Sequence, residues 1–161
     1  MTSEAEQAAY NELTVWTLSL RDREFVHQHV VDAWALQHAD ENSKAIAVPF
    51  TLLGMYLHLE KGYTGKEVQI AHMMLGQPHG RGPGRKNWPR FELPKDRGKM
   101  TALDVMAAPE SERKQAIDAW CRSLWEAFRD VQQQVRDWLR EELDEGELKR
   151  RSAEWMKKTS R

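Results

Sequence analysis

Apolar positions recur at helical spacing over most of this chain. Ala9, Leu13, Trp16 and Leu20 form one stripe behind a Ser3–Glu6 capping box, which predicts a helix over about 4–20. The β-branched residues of Thr14-Val15-Trp16-Thr17 weaken its second half. Asp22 is placed to cap a second helix over about 23–39, followed by the polar break Ala39-Asp40-Glu41-Asn42-Ser43-Lys44. A third helix is expected over about 44–61, with Pro49 near its first turn and Gly62 as its stop. Thr64 and Glu67 form a capping box for a short fourth helix that ends at Gly76.

Residues 77–100 lose the apolar period and gain repeated proline and glycine, which predicts a long loop. Thr101 and Asp104 then cap a short helix, and Pro109 opens the longest one, to about Leu143. Ile117, Leu124, Val131 and Trp138 repeat every seven residues in it, with Cys121, Phe128 and Val135 between them. That is a narrow seam for antiparallel packing. The expected fold is all-α, an up-and-down helical bundle over 1–145 with one long basic loop and a long C-terminal helix. Residues 146–161 form a basic, weakly amphipathic tail.

The composition supports a single domain able to bury a core without metal or disulfide staples, since the chain has 161 residues, 40% of them hydrophobic and 30% charged. A formal net charge of -1 provides no global attraction for nucleic acid or an anionic membrane. The start, MTSEAEQAAYNEL, lacks the basic and apolar regions of a leader, and no apolar run approaches the roughly 20 residues of a membrane span. With the single Cys121, which permits no internal disulfide and no cysteine-rich zinc pattern, this implies a cytoplasmic protein. Cys121 lies on the apolar seam and reads as a buried, inert thiol. The seven tryptophans read as core or interface anchors, the basis for expecting a homo-oligomer.

Candidate chemistry is concentrated in FVHQHVVDAWALQHAD, residues 25–40. On a helix, Phe25, His29, Asp32 and Leu36 share one stripe, while His27, Val31, Trp34 and His38 share another. In the third helix Ala47, Thr51, Gly54 and His58 share a face whose small residues admit a close neighbour. In the fourth, Val68, His72 and Leu75 do. If these faces converge, His29, Asp32, His58 and His72 form a polar pocket for a divalent transition metal or a small polar ligand, suited to hydrolytic or transfer chemistry. The same histidines also fit hydrogen-bonded core residues, because the compact ligand spacings of specific metal motifs are missing. No catalytic residue is assigned.

A second candidate is the loop with Arg81, Arg85, Lys86, Arg90, Lys95, Arg97 and Lys99, where Asn87-Trp88-Pro89-Arg90-Phe91 mixes aromatics with cations. It makes a phosphate or nucleic-acid binder the third reading, after the pocket and a non-enzymatic interaction module. The balanced charge argues against nucleic acid. Gly80-Arg81-Gly82-Pro83-Gly84 lacks the Lys-Ser/Thr pair of a phosphate-binding loop.

The string His27-Gln28-His29-Val30-Val31-Asp32-Ala33-Trp34 with Gln37-His38 resembles a family of small, uncharacterised bacterial proteins, a domain of unknown function. The likeness continues through LLGMYLHLEKG, QIAHMML, NWPRFELPKDRG and IDAWCRSLWEAF, so it spans about Tyr10 to Leu139. Trp34 stands where Tyr or Phe is common in that family, and Gln132 to Gln134 stand where some members carry a histidine; were that histidine a ligand, a metal site would be weakened here. The resemblance implies one domain in a bacterial cytoplasm and no assigned activity.

Overall fold

Capping side chains start half of the helices. Ser3 accepts the Glu6 N–H at 3.1 Å and opens α1, Glu4–Ser19. Thr64 and Glu67 close a reciprocal box at 3.2 and 3.0 Å at the start of α4, Gly65–Gly76. Thr101 and Asp104 do the same for α5, Ala102–Ala107. The computed structural model describes residues 2–76 and 87–160. Its remaining helices are α2, His27–His38, α3, Ala47–Leu59, α6, Arg113–Ala127, α7, Gln132–Glu142, and α8, Glu145–Lys158. The eight form an all-α up-and-down bundle, with no strand among the described residues.

Two helices differ from their expected spans for physical reasons. The second begins at His27 rather than near residue 23 because Arg21 and Phe25 take left-handed conformations, with φ of 49° and 57°. Asp22 accepts the Val26 N–H at 3.2 Å, so it closes the turn ahead of the helix rather than the helix itself. The long helix expected from Pro109 to Leu143 is broken into α6 and α7. The Phe128 N–H is shared between the Leu124 and Trp125 carbonyls, and a 3-10 turn follows over Arg129–Val131. A straight helix drifts about 20° per heptad from a seven-residue repeat. The break resets that drift, burying Phe128 and Val131 together. Gln132 donates to the Trp125 carbonyl at 2.9 Å, satisfying a carbonyl near the break.

α2 is central and packs against α1, α3, α4 and α6. The tail is not loose. Asp144 caps α8 by accepting the Glu147 N–H at 3.1 Å, and α8 packs on α4 with Leu148 fully buried. The segment 87–100 is pinned rather than draped. Arg97 donates to the Leu36 and Ala39 carbonyls, both at 2.9 Å, and so caps the C-terminus of α2. Trp88 meets Phe50 edge-on at 5.2 Å.

Candidate functional site

Of the four residues expected to converge, the structure brings two together. His29 on α2 and His58 on α3 stack with ring centroids 3.5 Å apart and planes 17° from parallel. This closeness depends on Gly54, one turn before His58, where the backbone of α3 lies against the Asp32 carboxyl. Asp32 and His72 are engaged elsewhere. Asp32 is buried and accepts from Gln28 Nε2 at 3.0 Å, while its Oδ2 has no partner. His72 stacks on Phe50 and bonds the Phe50 carbonyl at 2.9 Å through Nε2. The other stripe of α2 is also satisfied. His27 Nδ1 meets Thr17 Oγ1 at 2.8 Å, and His38 Nδ1 meets the Trp34 carbonyl at 2.9 Å.

A residue outside the expected set completes the arrangement. Asp118 on α6 lies 2.8 Å from His58 Nε2 through its Oδ1. Its position is three before Cys121 on the apolar seam, which puts it on the flank of α6 that borders the core. That flank was the only sequence signal for it. The His58 side chain is 17% exposed and Asp118 is 46% exposed, so the pair runs from the core edge to solvent. Both line an open cleft of about 300 Å³ together with His29, Tyr63, Lys114 and the 22–26 turn. That turn is held in place by the Lys66 N–H, which donates to the Glu24 carbonyl at 2.8 Å.

The electrostatics of the three groups differ. Burial, and then the neighbouring His58, lower the pKa of His29 to about 3, against a weaker opposing pull from Asp118. His29 is therefore neutral at physiological pH. The hydrogen bond from His58 holds the Asp118 carboxyl below its usual range, so Asp118 is an ionised acceptor. An acceptor-only carboxylate requires His58 Nε2 to carry the proton, which leaves Nδ1 as the acceptor nitrogen of the neutral ring. Burial pushes the Asp32 carboxyl well up and does the same to the Cys121 thiol. Cys121 is fully buried, in weak contact with the His29 carbonyl at 3.7 Å, and is not a nucleophile.

A metal would need imidazole nitrogens aimed at one point about 2.1 Å away. Stacked rings hold their lone pairs in nearly parallel planes, and His58 Nε2 is already bonded to Asp118. No group of three or more His, Cys, Asp or Glu among the described residues is arranged to hold a metal ion.

The basic loop is drawn into the fold only in part, since Arg90, Lys95 and Lys99 are exposed. Arg97 of the basic loop caps α2, while Arg81, Arg85 and Lys86 lie outside the described residues. Tryptophan N–H groups are also satisfied internally: Trp120 donates to Gln37 at 3.0 Å and Trp125 to Glu60 at 2.9 Å. No helix among the described residues is long and apolar enough to cross a membrane. Residues 3–129 match a family of unknown function, DUF5946. Neither a curated protein nor a solved structure matches the chain.

Proposed function

The chain belongs to the DUF5946 family, a family of unknown function, and we propose that it uses the His58 cleft to bind a small polar ligand and accept a proton from it. The observation that carries this reading is the Asp118–His58 hydrogen bond of 2.8 Å at the wall of an open cleft. A carboxylate behind an imidazole fixes the ring's tautomer and orientation and stabilises the imidazolium that forms when the ring takes a proton. His29, neutral and stacked on His58, covers one face of that ring without adding charge. It also offers a donor and an acceptor nitrogen of its own.

The chemistry is a metal-free proton transfer. A ligand hydroxyl, amine or held water gives its proton to the imidazole, and Asp118 holds the resulting charge. The conjugate base is then free to attack or rearrange, as in small-molecule hydrolysis or group transfer. A volume of about 300 Å³ is at the lower end of ligand sites and favours a small molecule over a peptide or a nucleotide.

The test is a histidine-resolved NMR titration with ethanolamine, glycine, acetate and phosphate. The expected result is that at least one of them moves the His29 and His58 ring signals while leaving His27, His38 and His72 in place. An Asp118→Asn variant should weaken that binding by about tenfold, the scale of one charge-assisted hydrogen bond. Shifts confined to the other histidines, or binding indifferent to Asp118→Asn, would count against the cleft.

A further inference from the structure

We infer a second ligand site, specific for a small amphiphilic anion of the medium-chain carboxylate class, in the groove between α4 and α8. The groove holds about 320 Å³ and adjoins the His58 cleft, sharing Glu24 and Thr64 with it as a common wall. Its chemistry is different. Ile70, Ala153, Trp155 and Met156 provide an apolar bed, and Met156 remains 43% exposed, leaving part of that bed open to a ligand.

Cations surround that bed. Lys66 Nζ lies 4.6 Å above the Trp155 ring, tethered to Gln69 Oε1 at 2.8 Å. Arg23 is 5.9 Å from the same ring and is held by the Met156 carbonyl at 2.7 Å and Thr159 Oγ1 at 2.9 Å. Lys149 is the third cation, on the exposed flank of α8. Two carboxylates also line the groove, Glu24 and Glu67, the latter accepting from the Thr64 N–H, so three cations stand against two anions and the lining keeps a net positive charge. The Ser152 hydroxyl lies buried in the same wall with no hydrogen-bond partner.

An apolar bed beneath a cationic rim selects a ligand with an alkyl chain and one anionic head. The chain lies on Ile70 and Met156 and the head meets Lys66 and Lys149. A neutral or cationic amphiphile of the same length gains the bed but not the rim. α8 lies beyond the matched residues 3–129, so half of this groove is built by the C-terminal extension of this chain. The site does not depend on proton transfer at His58.

The probe is octanoate, titrated into the full chain by calorimetry with the tryptophan indole N–H signals followed by NMR. The expected result is saturable one-to-one binding that shifts the Trp155 signal, identified with Trp155→Phe. Lys66→Gln should weaken binding about tenfold, the scale of a hydrogen bond to a charged group. Ala153→Trp, at an exposed position where folding is not at stake, should fill the groove and abolish binding. Octylamine should bind at least tenfold more weakly than octanoate. The site is refuted if octanoate does not bind, if octylamine binds as well, or if Ala153→Trp leaves affinity unchanged.

Discussion

Replacing Gly54 with alanine will destabilise the protein by about 3 kcal/mol or more and dismantle the candidate site, the scale of a severe core overpacking. A Cβ at this position would overlap the Asp32 carboxyl, coming within 2.8 Å of its Cγ, and would press on Val68 at 3.3 Å. Neither neighbour is a flexible surface side chain. Asp32 is 2% exposed and Val68 is fully buried. Relief therefore requires α3 to move away from α2. The 3.5 Å stack of His29 on His58 would open with that movement, because both rings are carried by these two helices. Urea denaturation with circular dichroism reads the loss as a lower midpoint at unchanged slope. An unchanged midpoint would mean that the α2–α3 contact tolerates a methyl group, contrary to the packing described.

Asp32→Asn will stabilise the protein at neutral pH, by on the order of 2 kcal/mol, because the asparagine removes the linkage cost of a buried carboxyl that holds a proton the unfolded chain releases. Asp32 Oδ2 is buried and unpartnered, and burial raises the pKa of this carboxyl well above its ordinary value. Its sign follows from linkage. An aspartate in the unfolded chain loses its proton near pH 4. The folded chain retains it to higher pH. Between those two values the native state binds more protons, so stability falls as pH rises. The asparagine cannot ionise and removes that slope. His29 contributes the opposite trend: its lowered pKa of about 3 means that the unfolded chain takes up a proton first, so stability from this ring rises as pH increases from about 3 to its ordinary value. The difference between the wild-type and Asp32→Asn stability curves isolates the carboxyl. It should grow with pH above about 4. A difference that is flat with pH would show that Asp32 is ionised in the folded chain.

The bundle is legible in the sequence wherever a short-range signal sets it. Thr64 with Glu67 and Thr101 with Asp104 mark helix starts through local geometry alone, and Gly62, at φ 73°, marks a stop. The break at Phe128 carries no proline or glycine. It comes from the drift of a heptad seam against a straight helix, which only the bundle as a whole can impose. The same contrast holds at the site. Helical spacing places His29, Asp32, His58 and His72 on core-facing stripes, and all four do face neighbours. A stripe does not specify which neighbour. Asp32 turns to Gln28 and Gly54, and His72 turns to Phe50. Asp118 was hidden because it sits among ordinary charged positions of an amphipathic helix, and its role depends on a residue sixty positions away in the chain.

At the site, a neutral His29 stacks on a His58 whose tautomer is set by Asp118. Nitrogen-15 NMR of the six histidine rings across a pH titration tests it most directly. The expected result is that neutral His58 carries its proton on Nε2 with Nδ1 bare, that Asp118→Asn perturbs this ring above all others, and that His29 stays uncharged down to about pH 3. A His29 that takes up its proton near the ordinary value of about 6.5, or a neutral His58 protonated on Nδ1, would contradict it.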